Sequence, residues 1–315
     1  MAGSDSLALA GRAFNGREAV EKAVELSPDV VTLDVEMPVL DGISCLERMM
    51  RVKPCPVIMV SSHTRRSSAA TIKALQLGAV DFVTKPQGAG ELGQLAADLQ
   101  EKIIAIARRR KAGGAPRQAG ARKSLNGRKP RVVVIGSSTG GTVVLTRIVN
   151  TLPTAMGATL VAVQHMPAGF TAEFARNLSR TARCGVREAR DGDLVAVGDV
   201  FIAPGAFQCS VYGNVFRITR GEAVSGYMPS IDVTMRSAAR RFGPDTCGVL
   251  LTGIGRDGSD GIREIHDAGG CTIVQDESTS AAFGMPKAAI ATGKVDAVLT
   301  DDEIVDVLAR MISQA

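Results

Sequence analysis

The 315-residue sequence has no tryptophan, and aromatic residues make up only 3% of it. Stacking platforms for the bases of a nucleic acid therefore have little to be built from. The six cysteines (Cys45, Cys55, Cys184, Cys209, Cys247, Cys271) include no C-x-x-C pair, which removes the common zinc and dithiol-redox motifs. Most sit in apolar runs, as small core residues do. No apolar run approaches the ~20 residues of a membrane span, and the opening MAGSDSLALAGRAF lacks the basic stretch of a secretory signal. These absences lead to the expectation of a cytoplasmic protein with no membrane insertion and no nucleic-acid partner. Acidic residues are also missing from one stretch. Between Arg108 and Pro130 lie nine Lys and Arg and no acid. Taking those nine from the net charge of +5 leaves −4 for the remainder, so the basic character belongs to one segment. That segment contains Gly, Ala and Pro without periodicity, the pattern of a solvated, flexible linker.

An apolar content of 45% with 22% charge is that of a globular protein, and 315 residues suit about two domains. The basic segment divides the chain into residues 1–107, a linker at 108–129, and residues 130–315. In the first part, short apolar strands alternate with helical runs. Strands are expected over 7–14, 30–35, 56–62 and 81–84, with helices over 17–26, 43–52 and 69–77. From Glu91, Leu92, Leu95, Leu99, Ile103 and Ile106 mark a last amphipathic helix. In the second part, strands are expected over 132–135, 159–163, 200–203, 249–252, 272–274 and 297–299. A hairpin over 211–218 turns at Gly213-Asn214. Helical runs fall at 142–151, 171–182, 231–242, 261–268, 286–292 and 304–312. Alternation of this kind implies α/β architecture: two doubly wound parallel-sheet domains, each with helices on both faces.

The stretch RVVVIGSSTGG (131–141) carries the chemistry. A strand runs into the turn Gly136-Ser137-Ser138-Thr139-Gly140 and out into a helix, a G-x-S-x-G arrangement. Ser138 would stand at the carboxyl edge of a sheet beside the free N–H groups of a helix start, where an oxyanion can be bound. A turn that only cradles an anion is the competing reading. A dinucleotide site is disfavoured, because the next strand ends in Gln164-His165 and not in a ribose-binding acid. Of the three histidines, His63 follows a strand of the first part and His266 lies within a helical run. His165 shares the edge of Ser138 and is the candidate base. Asp257, just past the strand of CGVLLTGIGRDG, is the candidate acid to orient it. Asp260 competes but is expected to cap the following helix. Asp191, Asp193 and Asp232 hold weaker positions.

In the first part, Asp34, Ser61 and Lys85 each end a strand. With LDVEMPVLDG and the Lys85-Pro86 pair, they resemble the receiver domain of two-component response regulators. The resemblance implies a phosphorylated Asp34 read by Ser61 and contacted by Lys85, with Mg²⁺ held by paired acids at the end of a preceding strand. Only residues 1–6 precede the first readable strand, and Asp5 is the lone acid among them. The receiver is therefore read as N-terminally truncated. A chain that is not activated by a small-molecule phosphodonor with Mg²⁺ is expected.

The segments IGSSTGG, QHMPAGFT, FIAPG, LLTGIGRDG and FGMPKAAI, in this order after a receiver, resemble the chemotaxis protein-glutamate methylesterase family. The resemblance implies a nucleophile at Ser138, a base at His165, an acid at Asp257 and active-site neighbours at Thr139, Gly140 and Ile254. It implies hydrolysis of glutamate γ-methyl esters on chemoreceptor helices, deamidation of glutamines there, and a chemotaxis histidine kinase as phosphodonor. It implies no metal or organic cofactor for the esterase. The alternative is a regulatory module that binds an anionic ligand at the Ser/Gly turn without hydrolysis. The chain departs from the family in several places. Ile254 replaces a usual methionine, Arg256 an asparagine and Met228 an arginine. Ala206, Phe207 and Gln208 stand where Asp, Arg or Lys, and His are usual. The departures bear on substrate recognition more than on the triad.

Overall fold

A computed structural model describes residues 7–62, 64–86, 88–111, 125 and 127–313. Asp5, His63 and most of the basic segment lie outside the described residues. The chain divides into two units, Met1–Gly113 and Gly114–Ala315. No helix among the described residues is long and apolar enough to cross a membrane.

The first unit runs α1 (Gly16–Leu26), β1 (Val31–Asp34), α2 (Gly42–Val52), β2 (Val57–Ser61), α3 (Arg65–Gln76), β3 (Asp81–Thr84) and α4 (Leu92–Lys111). The strands form a parallel sheet in the order β1-β2-β3. The register pairs Asp34 with Val60 and Ser61 with Thr84. Asn15 and Asp41 cap α1 and α2 through their side chains. Leu99 and Ile106 of α4 are buried with Ile58 and Val83, and Leu95 and Ile103 pack against them, the face that the periodicity singled out. Leu92, counted with that face, is exposed.

Residues 7–14 do not form a strand. Their alternation suits a half-buried strand, but a strand needs a ladder partner, and β1 pairs with β2 alone among the described residues. Leu9 and Phe14 are 66% and 80% exposed, and Phe14 N–H is instead tied to Glu18 at 2.8 Å, beside the α1 cap. Residues 108–111, read as the start of the linker, are helical, because α4 continues through Lys111.

The second unit runs β4 (Val132–Ser137), α5 (Gly141–Thr151), β5 (Thr159–Gln164), α6 (Phe170–Ser179), β6 (Gly185–Glu188), β7 (Asp199–Ile202), β8 (Gln208–Tyr212), β9 (Val215–Thr219), α7 (Ile231–Phe242), β10 (Thr246–Leu250), α8 (Ser259–Asp267), β11 (Cys271–Gln275), α9 (Gly284–Ala291), β12 (Ala297–Leu299) and α10 (Asp301–Ile312). Seven parallel strands lie in the order β12-β11-β10-β4-β5-β7-β6, and β8 and β9 make a separate antiparallel hairpin. Every residue of β4, β5, β10 and β11 is buried, as befits central strands covered on both faces. The short charged strand β6 at the sheet edge has no counterpart in the expected element list. The chain leaves β4 toward β5 on one side and returns through β10 on the other. The strand order therefore reverses at β4, and a crevice opens beyond the carboxyl ends of β5, β4 and β10.

Candidate active site

Three loops reach that crevice from adjacent strands. The ladder continues past the strand ends: Leu251 N–H donates to Gly136 O at 2.9 Å, Ser138 N–H to Thr252 O at 3.0 Å, and His165 N–H to Ser137 O at 3.0 Å. Ser138 is thereby fixed between the two neighbouring loops. Gly140 follows in the left-handed region (φ 79°) and starts α5. A Cβ there would stand 2.5 Å from the Cβ of Ala281, so only glycine fits both the dihedral and the space. Across from it, a Cβ at Gly253 would stand 2.9 Å from Ser138 Cβ. The buried Gln164 braces the turn. It accepts from Ser137 Oγ at 2.7 Å and donates to Ser138 O at 3.0 Å. Thr139 is buried, and its carbonyl accepts from Thr252 Oγ1 at 2.8 Å.

His165 and Asp257 meet at 2.9 Å through Nε2 and Oδ2. Asp257 is 1% exposed, and a buried carboxylate is costly without partners. It has four more donors: Ile231 N–H at 2.7 Å, Ser230 Oγ at 3.0 Å, and Asp232 N–H and Gly258 N–H at 3.1 Å each. Two of these are free N–H groups of the first turn of α7, so the helix dipole adds to the hydrogen bonds. Burial pushes the Asp257 carboxyl up, but the hydrogen bond and charge of His165 and the α7 N–H groups outweigh it and hold the carboxyl below its ordinary value. With Nε2 given to Asp257, His165 Nδ1 is buried and has no hydrogen-bond partner among the described residues. The imidazole lies stacked on Tyr227, with ring centroids 4.1 Å apart and planes 11° from parallel.

Asp232 sits one residue into α7 and accepts from Gly261 N–H of α8 at 2.7 Å. Burial and the charges of Asp257 and Asp260 raise it to about 6, against the Gly261 bond that favours the ionised form. Asp260, expected to cap α8, does not. The N-cap is Gly258 without a side-chain bond, and Asp260 pairs with Arg263 at 3.2 Å on the outer face. Ile254 is half-buried and Arg256 is exposed. The roles of Ser230, Tyr227 and Gln164 are absent from the sequence reading. Ser230 and Tyr227 belong to a loop far from each triad residue in sequence, and only the fold brings them in.

In the first unit the structure joins two of the three strand-end residues. Lys85 Nζ lies 2.6 Å from Asp34 Oδ2, and Glu36 N–H donates to Asp34 Oδ1 at 3.0 Å. Ser61 Oγ is fully buried and accepts from Thr71 Oγ1 of α3 at 2.7 Å, so its bond is made into the helix layer. Among the described residues no three His, Cys, Asp or Glu side chains converge to hold a metal ion. Asp34 meets an ammonium on one oxygen and an N–H on the other, and each oxygen keeps a lone pair that a magnesium ion could use.

A family model described as CheB methylesterase matches residues 133–308, and one described as response regulator receiver domain matches residues 4–97. The protein-glutamate methylesterase/protein-glutamine glutaminase of Archaeoglobus fulgidus is 40% identical over 333 aligned positions, covering 99% of this chain and 94% of that one. A protein of the same description, numbered 2, from Bordetella avium is 44% identical over 288 positions, 87% of this chain and 81% of that one. Among solved structures, the CheB methylesterase catalytic domain of Thermotoga maritima superposes with a TM-score of 0.56 at 38% identity. It covers 58% of this chain and 99% of that one.

Proposed function

The chain belongs to the CheB methylesterase family, and on that premise we propose that Ser138, His165 and Asp257 form its catalytic triad. The enzyme is a protein-glutamate methylesterase that also deamidates glutamine. Ser138 Oγ attacks the side-chain carbonyl of the methylated glutamate. His165 Nδ1, the nitrogen left free by the Asp257 bond, takes the hydroxyl proton, and Nε2–H stays on Asp257. The positive charge that forms on the imidazole faces a carboxylate held ionised by the α7 N-terminus. The tetrahedral oxyanion falls beside the start of α5 at Gly140, with Thr139 and Ile254 as its neighbours. Its collapse breaks the acyl–oxygen bond, and methanol leaves with the proton from Nδ1. Water, deprotonated by the same nitrogen, then cleaves the acyl-serine to free glutamate. With glutamine, ammonia leaves in place of methanol.

The observation that carries this reading is the 2.9 Å His165–Asp257 contact, built on strand ends that flank the strand of Ser138. A turn serving only to hold an anion gives no reason to fix an imidazole on a five-fold hydrogen-bonded carboxylate. The substrates are methylated glutamates on the cytoplasmic helices of chemoreceptors, placing the enzyme in the cytoplasm in chemotaxis adaptation. The first unit is the receiver that a chemotaxis histidine kinase would address at Asp34. A serine-directed phosphonate tests the chemistry. One adduct on Ser138, lost in Ser138→Ala and slowed in His165→Ala, is the expected result. Methanol release with no adduct at Ser138 would reject the assignment.

A further inference from the structure

Gln208 is buried and lies at the start of β8, away from the three catalytic loops in sequence. Its amide nonetheless touches the loop that carries both supports of His165. Oε1 accepts from Ser230 N–H at 2.9 Å, and Nε2 donates to Tyr227 O at 3.1 Å and to Glu222 O at 3.2 Å. From Ser230, the hydroxyl reaches Asp257 Oδ1 at 3.0 Å. Asp257 holds His165 at 2.9 Å, and His165 stacks on Tyr227 at 4.1 Å. The contacts close on themselves: Gln208, Ser230, Asp257, His165, Tyr227 and back to Gln208. Two further contacts hold the loop in place. Ala206 N–H donates to Met228 O at 3.2 Å, and Val224 and Tyr227 exchange backbone hydrogen bonds at 3.0 and 3.1 Å. Gly255, in the left-handed region, leaves room for the phenol, since a Cβ there would stand 2.6 Å from the Tyr227 hydroxyl oxygen.

We infer that Gln208 and Tyr227 are positioning residues for the esterase, acting together through this ring of contacts. The inference rests on the triad reading. The carboxylate fixes one edge of the imidazole but leaves it free to swing about that hydrogen bond. A near-parallel phenol face removes that freedom and keeps Nδ1 aimed at one place. The same face favours the imidazolium, because a cation over an aromatic face is attracted to it. Tyr227 therefore stabilises the charged form that exists only while the proton is on His165, an effect on kcat and not on substrate binding. Gln208 acts one step removed, using the two ends of one amide to hold the stacking residue and the Asp257 donor in register.

The test uses the full chain, with methanol release from a methylated chemoreceptor fragment and NMR of the histidine ring protons. Three histidines make the His165 signals assignable. Tyr227→Leu is expected to lower kcat about 10- to 100-fold with KM nearly unchanged, and to move the His165 ring protons downfield as the ring current is lost. Tyr227→Phe keeps the stack and should restore both. Gln208→Leu should move the same protons in the same direction and lower kcat, and Gln208→Glu, which retains the acceptor for Ser230, should fall between. If Gln208→Leu does not fold, the half-exposed Tyr227 and the Glu variant carry the test. Unchanged kcat in Tyr227→Leu, or unmoved His165 protons in both Gln208 variants, overturns the inference. Ser138→Ala in the same assay separates the two claims. If it retains turnover, the triad reading fails, while the proton shifts still report on the ring. If it is inactive and Tyr227→Leu is not impaired, the triad stands and the ring does not.

Discussion

Both units of this chain place an acid, a cation or imidazole and a hydroxyl at the carboxyl edge of a parallel sheet, but the two edges surround those groups differently. In the second unit the edge belongs to seven parallel strands whose order reverses at β4. The strands on either side of β4 deliver His165 and Asp257, the proposed base and acid, and a helix start dedicates its N–H groups to Asp257. Among the described residues of the first unit the edge belongs to three strands in simple sequential order. Asp34 is neutralised by Lys85, both carry about a third of their surface exposed, and the hydroxyl of Ser61 is bonded into the helix layer. What converts strand-end polar residues into a reactive site is therefore the set of groups packed around them. In the second unit the reversal of strand order at β4 supplies these from both sides.

Breaking the second edge should have the largest effect. Asp257→Asn is expected to lower kcat by a factor of about 10³–10⁴, because the amide favours the wrong tautomer of His165. Steady-state methanol release checks this, and Asp260→Asn, on the outer face, should be close to wild type. If Asp260→Asn were the damaging change, the acid would be misassigned.

The proposed triad was legible because parallel-sheet sites gather at strand ends: Ser138 and His165 each follow a strand directly, and Asp257 lies in the Gly-rich turn after β10. The Gly-flanked turn was legible for the same reason, since its dihedral demands appear as glycine in the sequence. The supports were not. Gln208 reaches its partners across 14 to 22 residues and Ser230 reaches Asp257 across 27, and although Gln208 stands out as a departure from the family pattern, nothing local to it shows that it braces the active-site loop. The mistaken strand over residues 7–14 has a physical origin too. Alternation reports a preference, but pairing decides the outcome, and β1 leaves that side unpaired among the described residues.

The interior of the first unit sharpens the contrast, since its buried charge is structural. Lys102 of α4 lies 2.8 Å from Asp81 and donates to Phe82 O at 3.0 Å. Lys102→Met strands the Asp81 carboxylate and should destabilise that unit by about 3 kcal/mol. Denaturant unfolding of the first unit should register it, with catalytic constants of the second unit untouched.

A smaller effect separates Asp232 of α7 from Asp257 by pH. Asp232 has a folded value raised to about 6. It binds its proton more tightly when folded, so its contribution is most favourable below the unfolded carboxylate value and is lost as pH rises through about 6. Asp257 is shifted the other way, so its contribution is present above the unfolded value and lost as pH falls through the lower folded one. Asp232→Asn should therefore stabilise the second unit above pH ~6, by about 1–2 kcal/mol, and change little near pH 4. Equal shifts at both pH values would show that burial of Asp232 is not the cause.

The smallest effect belongs to the first edge. Asp34→Asn removes a half-exposed ion pair and should change stability by less than about 1 kcal/mol.

The most direct measurement of the central claim is the coupling between Ser138 and His165. If they act as one proton-transfer unit at the β4 reversal, Ser138→Ala and His165→Ala should each reduce methanol release to near the uncatalysed rate, and the double variant should be little worse than either. Losses that multiply in the double variant would mean that the two residues contribute independently, and the triad as described here would be wrong.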